Sequence, residues 1–195
     1  IARVNRAERF GSSGGQVEVD AYPHIAQGVY AYLNLGYSSA SLFPEWRSGG
    51  EIFTSLPSAY EASIGYRQLR FDGVPVTLFT GAVGKYSGNY WFSLRPYVRE
   101  KDNGLSASAS LTTRRYFADG DHYLGARVGF GSTPSDQLYQ DQVSRVSSFS
   151  AAVQGSGDLV RSLLATWSLG YDREEITRGL VRNSVSLSAG IRASF

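Results

Sequence analysis

The sequence predicts an all-β chain forming an antiparallel up-and-down transmembrane β-barrel of about twelve strands. Three observations predict it: apolar and polar residues alternate in segment after segment, connection lengths alternate, and aromatic residues gather near both ends of the segments. The terminal stretch SVSLSAGIRASF shows the alternation most cleanly. Val185, Leu187, Ala189, Ile191, Ala193 and Phe195 share one face of an extended strand, and Ser184, Ser186, Ser188, Gly190, Arg192 and Ser194 share the other. A soluble sandwich or a membrane barrel satisfies one such strand, so the choice rests on the rest of the chain.

Taken in order, the alternating segments begin with a weak one in Ala2 to Phe10, then Gln16 to Tyr22 and Gly28 to Tyr37. The next, Trp46 to Ser55, is ambiguous in phase because Ile52 and Phe53 are adjacent. YEASIGYRQ from Tyr60, VTLFTGAVGKY from Val76, NYWFSLRPYVRE from Asn89 and LSASASLTTRRYF from Leu105 follow. HYLGARVGFGS from His122, SRVSSFSAAVQG from Ser144, LVRSLLATWSLGYD from Leu159 and the terminal strand complete the set. No heptad or helical apolar stripe interrupts them.

Connections carry the second signal. LPSA near Leu56, SGN at Ser87, ADGD at Ala118 and GSGD at Gly155 read as short turns. Between them SSASLFPE from Ser38, FDGVP from Phe71, EKDNG from Glu100, STPSDQLYQDQ from Ser132 and REEITRGL from Arg173 read as longer, more charged loops. Short turns at one end and longer loops at the other are the outer-membrane pattern, and an even strand number places both termini at the short-turn end. Aromatics follow the same division. Tyr60, Tyr86, Tyr90, Trp91, Tyr116, Phe117 and Tyr123 lie near short turns, while Tyr37, Phe43, Trp46, Phe71, Tyr97, Phe130 and Tyr171 lie toward the other ends. Two aromatic belts at headgroup depth are the expectation.

Composition agrees with many strands and tight turns. Charged residues are 18% of the 195, and the chain holds 22 Gly and 13 Tyr but no Cys or Met. A formal net charge of +2 with no Lys/Arg block offers nothing to nucleic acid. Without cysteine there is no disulfide framework and no thiolate metal site, and two histidines make a poor transition-metal set, so no cofactor is expected. No run of about 18 apolar residues exists for a spanning helix. The opening IARVNRAERF is unlike a signal peptide, so an exported protein would have lost its leader already, as the lack of Met also suggests.

Seven segments in order carry a family resemblance: RAERFG at Arg6, DAYP at Asp20, LFPEWRSGGE at Leu42, EASIGYRQLRF at Glu61, YSGNYWFSLRPY at Tyr86, TRRYF at Thr113 and GARVGFGSTP at Gly125. Together they resemble the YaiO-type family of Gram-negative outer-membrane β-barrels, and Phe195 looks like the C-terminal aromatic that barrel assembly recognises. The resemblance implies a barrel found alone or after periplasmic helical repeats, often beside enzymes of surface polysaccharide synthesis. A role in glycan export or presentation follows as an expectation, with a helical-repeat or glycan-synthesis protein as partner. Family members commonly carry further N-terminal sequence, so fourteen strands would result if one or two are missing here.

Phasing every strand with its apolar side to outer-membrane lipid sends Arg67, Arg95, Arg99, Arg114, Arg127, Arg182 and Arg192 inward, against Glu18, Asp20 and Glu61. Seven guanidinium groups against three carboxylates make an electropositive lumen, suited to passing or holding an anionic oligosaccharide or polysaccharide. Tyr30, Tyr32 and Trp91 are candidate platforms for sugar rings. The competing expectation is that these side chains cross-link opposite walls and fill a narrow interior.

Other chemistry is poorly provided for. His24, near a turn with Asp20 and Glu18 on its own strand, and His122 in the ADGDHY turn lack a recognisable nucleophile, so the expectation is a non-enzyme. Asp119 and Asp121, with Asp136 and Asp141, read as solvated loop acids rather than a Ca²⁺ site. GSSGG at Gly11 is no phosphate loop, because no helix follows it. Three functional classes result: a conduit for an anionic solute, a closed scaffold or receptor binding through the loops Ser132 to Gln142 and Arg173 to Leu180, and least of all a lipid- or sugar-modifying enzyme. A barrel closes its own edges, so a monomer is expected.

Overall fold

The computed structural model of the chain describes residues 1–9, 12–101, 104–117, 119–132, 147–160, 163–177 and 179–193. Among them are β1 (Ala2–Arg9), β2 (Ser12–Ala21), β3 (His24–Ala26), β4 (Val29–Tyr37), β5 (Trp46–Leu56), β6 (Tyr60–Phe71) and β7 (Val74–Ser87). They continue with β8 (Tyr90–Lys101), β9 (Gly104–Tyr116), β10 (Tyr123–Gly131), β11 (Ser147–Val160), β12 (Leu163–Thr177) and β13 (Leu180–Ala193). One short 3-10 turn, Pro57–Ala59, joins β5 to β6. All thirteen strands belong to one antiparallel sheet whose members follow in sequence order from β1 to β13, with only β3 off the path as a side pairing on β4. That succession of hairpins is the up-and-down barrel topology, and the twelve strands on the path match the sequence expectation.

Burial is inverted relative to a water-soluble protein. Gln16, Glu18, Asp20, Asn34, Arg47, Glu51, Arg67 and Arg99 are buried, whereas Val4, Ile64, Val185 and Leu187 are 73–80% exposed. Both sets alternate along the same strands, so the sheet has a polar concave side and an apolar outer side. Only lipid makes an outer face of Val, Ile, Leu and Phe favourable over a surface this large.

Two expectations about the connections need correction. Asp72 and Gly73, both at positive φ, make a two-residue turn, and two residues each also separate β8 from β9 and β12 from β13. Length sorting therefore rests on the 38–45 connection and on 132–146, most of which lies outside the described residues. Charged stretches such as Arg173 to Glu175 continue as strand because their hairpins, ladder-paired with Asn183, Arg182 and Val181, keep backbone bonding. GSGD is no turn either: Gly155 to Asp158 lie within β11. A Cβ at Gly155 would collide with the Trp167 indole on β12, so this glycine marks a close cross-strand approach.

The aromatic belts are real but thinner than expected. Tyr60, Tyr90 and Phe117 face out at the turn end, as do Tyr37, Trp46, Phe130 and Tyr171 at the loop end. Trp91, Tyr97 and Phe71 turn inward, and Phe43 is buried where the 38–45 connection lies against Gly14 of β2. Ser38 pins that connection, donating its hydroxyl to the Gly15 carbonyl at 2.7 Å and accepting from the Ala40 amide at 3.0 Å.

Candidate functional site: the lumen

The lumen wall is built by strand parity. Inward positions on β5 include Arg47, Gly49, Glu51 and Phe53; those on β6 include Glu61, Arg67 and Leu69; those on β8 run Trp91, Ser93, Arg95, Tyr97, Arg99. A cavity of about 340 Å³ is lined by Arg67, Arg95 and Arg127 together with Tyr30, Tyr32 and Trp91, six of the residues singled out from the sequence. Glu51, Phe53, Tyr22, Tyr97 and the hydroxyls of Ser93, Ser110 and Thr112 complete its lining.

Glu51 organises one side. Its carboxylate accepts from Arg67 Nη2 at 3.0 Å, from Arg95 Nη1 at 2.7 Å and from the Ser63 hydroxyl at 2.6 Å. Arg67 reaches it by lying across Gly49, where a Cβ would collide with the arginine side chain, and its guanidinium sits 4.8 Å from the Tyr32 ring centroid. Sequence reasoning missed Glu51 and Phe53 because the Ile52–Phe53 adjacency hid the phase of β5. The register resolves it: Ile52 opposes outward Ile64, which sends its neighbours Glu51 and Phe53 inside.

Glu18 and Asp20 are likewise engaged. Arg3 bridges to Glu18 at 3.2 Å and Asp20 at 2.5 Å, Arg47 approaches Glu18 at 4.0 Å, and Tyr32 and Asn34 donate to Asp20 at 3.0 and 2.7 Å. Glu61 accepts from the Tyr30 hydroxyl at 3.5 Å, and Tyr30 stacks on Phe53 with 4.7 Å between centroids. Arg3 and Arg47 were not among the expected lumen residues, although their parity on β1 and β5 places them there.

The β8–β10 side differs. Arg114 lies between two rings, 5.3 Å from Trp91 and 4.6 Å from Tyr123, and Arg127 donates to the Tyr97 and Ser110 hydroxyls at 3.4 Å each. Arg99 is 3% exposed, and none of its three guanidinium nitrogens has a hydrogen-bond partner among the described residues. No inward position on β8, β9 or β10 carries Asp or Glu.

Arg182 stands apart on β13, bound to Glu174 of β12 at 2.6 Å, a carboxylate expected in a loop. Arg192 pairs by backbone with Leu164, and its side chain lies outside the described residues, as do Gly11, Asp136, Asp141, Phe195 and most of the Ser132 to Gln142 loop. His24 is exposed on the separate short strand β3 and not, as expected, on the strand of Glu18 and Asp20, because the chain leaves β2 after Ala21. His122 is held at the turn end, Nδ1 to Asp119 at 2.8 Å and Nε2 to Asp158 at 3.1 Å, and these bonds raise the imidazole pKa above its ordinary value.

Outer apolar face, polar lumen and ordered hairpins together describe a membrane barrel, and the profile of the YaiO membrane beta barrel domain matches residues 1–136. The chain belongs to the YaiO membrane β-barrel family. Among solved structures, the fold of this YaiO barrel is similar to a chain described as "Anion-selective porin from Comamonas acidovorans", with a TM-score of 0.51 and 13% identity over 95% of this chain. The match spans 61% of that porin's length, and at this identity the likeness is one of fold. No curated protein matches the sequence. Family and fold point to a β-barrel of the outer membrane.

Proposed function

We propose that this YaiO barrel conducts or holds an anionic solute, an acidic oligosaccharide or polysaccharide, at the Gram-negative outer membrane. One observation carries the reading: the inward faces of β8, β9 and β10 hold Arg99, Arg114 and Arg127 with no acid among them, beside Arg95, which Glu51 of β5 reaches. Guanidinium groups stay charged and present planar donors to carboxylate or phosphate. Tyr30, Tyr32 and Trp91 on the same cavity offer ring faces to sugars. The porin of similar fold is itself anion-selective. In this reading the barrel is a monomer without enzymatic activity, supplied by a periplasmic helical-repeat or glycan-synthesis protein.

The Arg67–Glu51–Arg95 bridge favours a second reading, a closed barrel whose lumen is cross-linked and whose loops bind a partner. Planar-bilayer recording under a salt gradient separates the two. A stable conductance with a reversal potential of anion-selective sign is the expected result. Folded, inserted protein that conducts nothing, or that prefers cations, overturns the conduit.

A further inference from the structure

The arginine that the lumen leaves unsatisfied marks a specific station. We infer that Arg99, with the hydroxyls of Ser106 and Ser132, forms an oxyanion-binding site toward the loop end of the lumen, built for a single carboxylate or phosphate group. Arg99 lies opposite Leu78 on β7 and Ser106 on β9 in the ladders, and Leu78 is fully buried. Its Nε, Nη1 and Nη2 all lack hydrogen-bond partners among the described residues, whereas Arg67, Arg95 and Arg182 each find a carboxylate. A buried guanidinium without a hydrogen-bonding partner is costly, and an oxyanion removes that cost through the two-pronged bond the planar fork favours.

The hydroxyls supply the remaining donors. Ser106 and Ser132 touch through their Oγ atoms, and Ser132 is buried beside them. In such a pair one O–H is consumed by the partner oxygen, and the other is left to donate. Fork and hydroxyl converge on an acceptor with several oxygens rather than on a spherical halide. The inference rests on the anionic-solute reading only for the natural ligand; the site itself stands on Arg99.

Thermal unfolding of the folded barrel in detergent tests it, at constant ionic strength with chloride replaced by inorganic phosphate or glucuronate. Wild type is expected to gain stability with either oxyanion, in a saturable way. Arg99→Gln should bind the probes roughly 10- to 100-fold more weakly, and should melt higher than wild type in chloride because the unpaired charge is gone. Arg70→Gln, on the outer face, should keep the wild-type response, and Ser106→Ala should give a smaller loss than Arg99→Gln while preserving the buried charge. Equal stabilisation of wild type and Arg99→Gln, or no saturable effect on wild type, overturns the site. Anion-selective conductance without oxyanion stabilisation would remove the station and leave the conduit, whereas stabilisation without conductance would keep the station in a closed barrel. A larger response to phosphate than to glucuronate would assign the site to a phosphate group, and the reverse to a uronate-type carboxylate.

Discussion

On the β1–β6 side of the lumen Arg3, Arg47 and Arg67 each lie near a carboxylate, whereas on the β8–β10 side Arg114 is held by aromatic rings and Arg99 has no hydrogen-bonding partner among the described residues. Both sides carry the same residue type at inward positions of similar strands. The difference is the acid: Glu18, Asp20 and Glu51 on the first side, none on the second. A neutralised arginine acts as a cross-link between strands, while one without a carboxylate projects its field into the lumen. The first side holds the wall together, and the second gives the lumen its sign.

Removing Glu51 should break that contrast most severely. Glu51→Gln strips the charge that Arg67 and Arg95 share, leaving two guanidinium groups uncompensated, and should lower stability by about 3 kcal/mol in a urea titration of the detergent-folded barrel. Retention of wild-type stability would mean that water already solvates this cluster.

A paired exchange sharpens the comparison at smaller cost. Arg114→Gln should reduce the anion-to-cation permeability ratio on the order of threefold, roughly 0.6 kcal/mol, with the barrel still folded. Arg67→Gln should instead cost stability and change selectivity less, because Glu51 already offsets its charge. Reversal potentials of the two variants that move together would show that the two sides act alike.

The smallest effect is expected outside the lumen, at the His122 clip. Because its folded pKa is raised above the ordinary 6.5, the clip's contribution is complete below 6.5 and is lost as pH rises through the folded value. Asp119 behaves in the opposite sense: hydrogen bonds from His122 and from the Asp121 amide hold it below its ordinary 3.8, so its contribution is lost as pH falls through the depressed value. Amide exchange at Asp121 and His122, both of which donate to Asp119, should therefore be slowest between pH 3.8 and 6.5 and quicken above it. His122→Ala should abolish the rise above 6.5; a persisting rise, after correction for intrinsic exchange, would place the protection elsewhere.

How much of this was legible in the residues depends on how local each feature is. Period-two alternation in stretches such as Val185 to Ile191 determined strand type and which residues share a face, because side-chain direction in a strand follows position alone, while connection pattern and aromatic placement pointed to the barrel. The inward direction of Arg67, Arg95, Arg99, Arg114, Arg127 and Arg182 followed from the same rule. Register and partners did not. Where two apolar residues adjoin, as at Ile52 and Phe53, only the pairing with β6 decided that Glu51 faces the lumen, and Glu51 changes the meaning of two arginines 16 and 44 residues away. Strand phasing read from the sequence determined that arginine would outnumber acid inside; only the tertiary structure decided which arginines are neutralised, because a charge is compensated by what stands within a few ångströms and not by what stands nearby in the chain.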